Sequence, residues 1–320
     1  MAGLSRCSRD SPLRSCCLSR LRKDMECYNS LITCYAEERY EVNHSSAQPV
    51  VLATGMQSSG STLLSWCFLQ RPDMNGTLDG DTDLIPLLPV VPNAPYLWYK
   101  TTISSFTLAE QMAVLEDEGR EVMPLLMVRD VRAVWMSLMK KPYGRNGVTA
   151  EDPPLRLRFR RFLNSWVFAR EQGIPIFRYE DLAGDAEASL RGLCEDLGLS
   201  WDPAMLNWPK PAADIADARH GNARFMNADK AGLEAVFDPR LALRISGRIH
   251  EEDLVWLEET FAAFNQDMGY EQHHDGLELL PGRLLPSWEA SRRLNWRLRQ
   301  KPLRYLAVKL GLSRYRPRPQ

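Results

Sequence analysis

The sequence predicts an α/β domain with a central parallel sheet. Short apolar runs at residues 50–54, 96–101, 123–128 and 174–179 alternate with longer segments whose apolar residues recur at helical spacing, the pattern of strands joined by crossover helices. Residues 123–128 (MPLLMV) are apolar without interruption, as expected of a strand covered on both faces. Polar or charged breaks follow three of the runs, at residues 58–62, 100–102 and 129–130. In an open parallel sheet those positions fall at the carboxyl ends of the strands, where ligands bind.

Each element follows in order. Residues 1–24 are rich in Ser, Cys and Arg without periodicity and precede a second methionine, Met25; they read as a partly disordered leader that continues to residue 47 and includes a short helix within 26–47. Residues 45–49 punctuate the start of the first strand. The strand at 50–54 runs into a glycine-bounded loop, after which Leu63, Leu64, Trp66, Cys67, Phe68 and Leu69 suit a helix. Residues 71–73 end that helix, and an acidic stretch at 78–83 with Pro86, Pro89, Pro92 and Pro95 reads as connecting loop. A strand at 96–101 and a helix at 108–118 come next, then the buried strand at 123–128 and a helix with Val134, Trp135 and Leu138 on one face. The pattern continues with a long amphipathic helix at 154–172, a strand at 174–179, and helices at 186–197 and 256–270.

At 320 residues, 44% hydrophobic and 25% charged, the chain suffices for one large domain with extensions. No apolar run reaches the length of a membrane span, and the start lacks the apolar core of a signal peptide, so a cytoplasmic location is expected. The seven cysteines have neither C-x-x-C spacing nor the density of a disulfide framework and read as free thiols in a reducing compartment. His44, His250, His273 and His274 lack ligand spacing, and no metal is expected. Charge is unevenly placed: residues 281–320 carry eleven Lys/Arg against Glu289 alone, a net +10 that leaves −11 on the rest of a chain whose total is −1. That excludes a polyanion-binding body, and no nucleic-acid partner is expected. Within the tail, cations alternate with Leu284, Leu285, Trp288, Leu294, Trp296 and Leu298, so it reads as a basic amphipathic extension for peripheral contact with an anionic membrane, or for packing on the acidic body.

The stretch from Val50 to Leu64 carries the most chemistry. A strand that turns through Ser58, Ser59, Gly60, Ser61 and Thr62 into a helix presents backbone N–H groups and the positive end of a helix dipole, which suit a phosphate or sulfate. Gly55, Gly60 and Thr62 match the phosphate-loop pattern G-x-x-x-x-G-K-[ST], but Ser61 occupies the lysine position, which argues against an ATP-dependent kinase.

Residues 57–62 (QSSGST) resemble the 5′-phosphosulfate loop of sulfotransferases, P-[KR]-S-G-[TS]-T, with Gln57 in the proline position and Ser58 in the basic one. Three later segments are similar to that family in the same order. Arg129 and Ser137 match its R-x7-S spacing, residues 179–182 its Y-E-D-L, and residues 221–224 its G-N-x-x-R with one residue fewer before Arg224. The resemblance covers residues 50–225 and implies a three-layer domain of the P-loop sulfotransferase type at about 48–275, with a leader at 1–47 and a basic helical extension at 276–320. It implies the co-substrate 3′-phosphoadenosine 5′-phosphosulfate (PAPS), without a metal, and sulfuryl transfer to a hydroxyl or amine of an unidentified acceptor. Residues 58–62 would then hold the 5′-phosphosulfate, Arg129 and Ser137 the 3′-phosphate, Tyr179 the adenine, and Arg224 the phosphates from the lid side.

The catalytic positions follow less directly. Lys100, Thr101 and Thr102 stand where cytosolic members carry K-T-H, and threonine is no base near neutral pH. Alignment with the tyrosylprotein branch puts Asp79 at the base, with Asp81 and Asp83 as alternatives in what otherwise reads as a solvated acidic loop. Lys100 is the cation expected to stabilise the leaving phosphate, since Ser58 supplies none. The competing expectation is a nucleotide-binding relative that has lost turnover.

Overall fold

The computed structural model describes residues 48–78, 80, 94–104, 106–140, 155–211, 215, 232–236, 246–270 and 276–281. The expected strand at 50–54 forms as β1 (Val50–Gly55), with all six residues buried. It is followed by α1 (Ser61–Leu69), β2 (Met74–Thr77), β3 (Tyr96–Lys100), α2 (Leu108–Asp117), β4 (Val122–Val128) and α3 (Val131–Met139). Then come α4 (Leu155–Gln172), β5 (Ile176–Arg178), α5 (Tyr179–Gly184), α6 (Ala186–Asp196), α7 (Ala204–Asn207) and α8 (Gly232–Val236). The described residues end with β6 (Gly247–His250), α9 (Glu251–Thr260), α10 (Ala262–Asp267) and β7 (Leu277–Leu280).

Among the described residues the main sheet has the order β2-β3-β1-β4-β5, and every pairing in it is parallel. β1 is central: Ala53 stands in register with Lys100 of β3 on one side and Leu125 of β4 on the other. The chain leaves β1 first toward β3 and later toward β4, so the crevice between those two directions opens where β1 ends. Pro124 is tolerated inside β4 because its ring nitrogen faces away from β1, on the side where β5 pairs only from Leu126 onward.

Alternation along the strands sends side chains to two cores. Val50, Leu52, Leu97, Tyr99, Leu126 and Val128 face α2, α3, α4 and α9, whereas Val51, Ala53, Trp98, Leu125 and Met127 face α1 and α6. The result is the expected three-layer α/β sandwich. On the first face Phe159 meets Trp135, Trp256 and Phe261 edge to face, and Phe261 meets Phe264 in the same way, which joins α3 and α4 to α9 and α10. On the second, Phe68 stacks on Trp98, whose indole N–H donates to Ser65.

Several local expectations change. The Met74–Thr77 strand lies in a stretch read as the lead into a loop; it is short and contains Asn75 and Gly76, so it carries no hydrophobic signal. The strand expected at 174–179 shortens to Ile176–Arg178, and Tyr179 instead opens α5. The helix expected at 256–270 starts at Glu251 and breaks at Phe261. Leu277–Leu280 is a strand paired parallel with β6. The leader at 1–47 and the tail beyond Pro281 lie outside the described residues. No helix among the described residues is long and apolar enough to cross a membrane.

Candidate functional site

β1 hands over to α1 through residues 56–60. Ser59 N–H closes a turn on the Met56 carbonyl, and the Gly60 carbonyl accepts from Leu63 and Leu64 at 2.9 and 3.2 Å. The turn requires left-handed backbone twice, at Ser58 (φ 72°) and at Gly60 (φ 89°). Gly60 is the N-cap of α1 and supplies no side-chain cap, and no acidic residue stands in the first turn. By contrast, α2, α3 and α6 are capped by Thr107, Asp130 and Asp185. The positive end of α1 therefore has no side-chain cap at the carboxyl edge of the central strand, and such a helix start favours an anion. The buried Ser59 hydroxyl has no hydrogen-bond partner among the described residues and adds a donor on the same turn.

Two arginines contact this turn, and a buried lysine ends the neighbouring strand. Arg129 follows β4; its Nη1 donates to the Ser58 carbonyl at 3.2 Å, and its Nε–H is buried without an acceptor among the described residues. Lys100, the last residue of β3, is only 4% exposed, so it is not the solvated strand-end lysine that its position alone would suggest. The third cation was missed by sequence reasoning. Arg158 of α4 is 1% exposed, and its Nη1 donates to Gln57 Oε1 at 2.5 Å. A signal for it exists, because Arg158 falls between Leu155 and Phe162 on the buried face of α4, where an arginine is out of pattern.

Tyr179 sits within the same group. Its ring lies against the loop: a Cβ built on Gly60 would come within 2.2 Å of Tyr179 Cδ2. The Arg129 guanidinium carbon stands 4.3 Å from the ring centroid on a π-face. Glu180, which the sequence reading did not single out, accepts from Asp130 N–H at 3.1 Å and from the Tyr270 hydroxyl at 2.8 Å. Burial pushes the Glu180 carboxyl above its ordinary range, against those two hydrogen bonds and the charge of Arg129. Burial and the neighbouring Glu180 likewise push the Tyr270 phenol upward. Arg132, in the same R-D-x-R segment, is a structural partner: it forks onto Asp130 and reaches Glu258 at 3.3 Å.

The structure thus gathers residues 58–62, Arg129 and Tyr179 around one loop, and places Lys100 on the neighbouring strand. Ser137 lies two turns into α3 and is half-buried. Asp79, Asp81, Asp83 and Arg224 lie outside the described residues. The residues flanking Asp79 are described: Leu78 is buried, and Gly80 N–H donates to the Lys100 carbonyl at 2.7 Å. A cleft of about 540 Å³ between β5, α5 and α6 adjoins this group at Glu180 and is also lined by Asp181, Asp185 and Asp196, a charge that repels anions.

No protein-family model and no curated protein matches the sequence. Among solved structures, the chain is similar to the sulfotransferase domain of the olefin synthase of Synechococcus PCC 7002. The identity is 17% and the TM-score 0.45, over 69% of this chain and 96% of that one. It is also similar to mouse sulfotransferase SULT7A1, in a structure complexed with PAP, at 12% identity and a TM-score of 0.40, over 70% of this chain and 88% of that one.

Proposed function

We propose that this chain transfers the sulfuryl group of PAPS to a hydroxyl or amine acceptor. The observation that carries the reading is the Arg129–Ser58 contact. It sets the arginine of the R-x7-S pair against the serine-rich loop whose helix start is uncapped, so two anion-binding elements 71 residues apart form one surface. In this reading the N–H groups and hydroxyls of residues 58–62 hold the 5′-phosphosulfate, Arg129 and Ser137 the 3′-phosphate, and Tyr179 borders the adenine. Arg224 closes on the phosphates from the lid side.

The acceptor oxygen or nitrogen attacks sulfur in line. As the new bond forms, the bond from sulfur to the 5′-phosphate oxygen breaks, and 3′,5′-bisphosphoadenosine leaves with that electron pair. Asp79 takes the acceptor proton, and Lys100 stabilises the charge gathering on the leaving oxygen. Gly80 N–H binding the Lys100 carbonyl supports this pairing, because it brings the chain beside Asp79 to the strand end that bears the cation.

The test is calorimetric titration with 3′,5′-bisphosphoadenosine and with AMP, followed by incubation with [35S]PAPS and a panel of hydroxyl and amine acceptors. Tighter binding of the bisphosphate and label transferred to an acceptor are expected. Equal affinities would remove the 3′-phosphate site. Tighter binding of ATP with magnesium would replace this reading by a kinase.

A further inference from the structure

Glu180 joins segments that lie far apart in the sequence. One oxygen of its carboxyl group accepts the N–H of the peptide that links Arg129 to Asp130, at 3.1 Å, and the other accepts the Tyr270 hydroxyl, at 2.8 Å. Arg129 itself lies against the ring of Tyr179, the residue before Glu180, and donates to the Ser58 carbonyl. The arginine is thus held twice, by its side chain on Tyr179 and by its own peptide on Glu180.

The charges around this carboxyl group are unequally matched. Asp130 is forked by Arg132, which also reaches Glu258. Asp181 pairs with Arg178, whose guanidinium lies over the Tyr270 ring. Asp185 and Asp196 line the adjoining cleft and are exposed to solvent. Burial drives the Glu180 carboxyl above its ordinary range, and Arg129 is the cation whose charge acts against that rise. A phosphate on Arg129 cancels that charge, so the carboxyl rises further and binds a proton in the pH interval between its free and its occupied value.

We infer that Glu180 is the positioning residue for Arg129, fixing the peptide that carries it, and that the chain takes up a proton at this carboxyl group when a phosphate occupies the arginine. The inference rests on the sulfuryl-transfer reading, in which that phosphate is the 3′-phosphate of the nucleotide. By reciprocity the proton and the phosphate favour each other. This contribution to affinity is complete where the free carboxyl is already protonated, and it is lost as pH rises from the free value through the occupied one.

Calorimetric titration of the full chain with 3′,5′-bisphosphoadenosine, in buffers of different ionisation enthalpy, counts the protons exchanged at each pH. Above about pH 4.3, the ordinary glutamate value, wild-type protein should take up more than Glu180→Gln, by up to about one proton per nucleotide. AMP brings no phosphate to Arg129, and with it the two proteins should exchange protons alike. Equal exchange by wild type and Glu180→Gln on binding the bisphosphate overturns the inference, because Glu180 is then a structural brace only. So does an equal difference with AMP, which would mean that the carboxyl group senses the loop rather than Arg129. Should Glu180→Gln fail to fold, Tyr270→Phe takes one donor from the carboxylate and should move the proton uptake to higher pH. An uptake that stays in the same pH range in that variant overturns the inference as well. Wild-type protein that binds the bisphosphate no better than AMP removes the sulfuryl-transfer reading itself, whereas a retained preference without the extra uptake removes the role of Glu180 alone.

Discussion

The Arg129 guanidinium carbon lies 4.3 Å from the centre of the Tyr179 ring, and the edge of that ring fills the space a side chain on Gly60 would need. The next residue of each segment repeats the grip, since Glu180 accepts the Asp130 N–H. Two consecutive residues after β5 thereby hold two consecutive residues after β4, and the arginine is set against the loop before any ligand arrives. Pre-placing a charged fork in this way lowers the ordering cost that binding would otherwise carry.

Arg129→Gln should therefore remove about 2–4 kcal/mol of the preference for 3′,5′-bisphosphoadenosine over AMP, the value of charge-assisted bonds to one phosphate. Tyr179→Phe keeps the π-face and should leave that preference intact, whereas Tyr179→Leu should lose about 1 kcal/mol of it. Calorimetry with the two nucleotides reads both. Equal losses in Phe and Leu variants would mean that the hydroxyl, not the ring face, matters.

Gly60 combines left-handed backbone with contact against the Tyr179 ring. Gly60→Ala should lower the melting temperature and weaken nucleotide binding, with about 1–2 kcal/mol from the backbone alone. Adding Tyr179→Ala should recover the part due to the clash and none of the backbone part. A thermal melt of the single and double variants separates the two contributions.

Glu180 makes stability depend on pH. Its folded carboxyl titrates above the ordinary glutamate range, so the folded chain holds a proton that the unfolded chain has already released. Stability from this group is complete below about 4.3, the unfolded value, and is lost as pH rises through the higher folded one. Glu180→Gln should flatten that descent in melts taken from pH 4 upward. It should also weaken the Tyr270 and Asp130 contacts, since one amide oxygen replaces two carboxylate oxygens. A descent of unchanged slope in Glu180→Gln would assign it to another group.

If Asp79 is the base of the proposed transfer, Asp79→Asn should slow turnover by roughly 10²–10⁴-fold with little change in product-nucleotide affinity. If Lys100 stabilises the leaving phosphate as proposed, Lys100→Met should lower turnover and weaken donor binding together, because the cation would then meet negative charge in both ground and transition states. Steady-state rates with [35S]PAPS, paired with calorimetry, distinguish the two patterns. Full activity in Asp79→Asn would transfer the role to Asp81 or Asp83.

The sequence by itself determined the layer order and the place of the serine-rich turn between the central strand and its helix. The apolar run at 123–128 forms a strand buried from Leu125 onward, the alternation of strand and helix segments implies parallel pairing, and a serine-rich turn ahead of an apolar helix becomes a helix start without a side-chain cap. These are local properties, written in periodicity and turn chemistry over a few residues. β2 escaped the same reading because a four-residue strand containing Asn75 and Gly76 is stabilised by its neighbour β3 rather than by its own pattern. Only the tertiary structure decided which charges meet the loop. Arg158 reaches Gln57 from 101 residues away because α4 packs Phe159 and Phe162 into the aromatic core and carries the arginine in with them. Tyr179 and Glu180 meet Arg129 and Asp130 because β5 pairs with β4, which brings both strand ends to one edge. Contacts of that kind depend on long-range packing, and packing distances are not encoded in the spacing of residues along the chain.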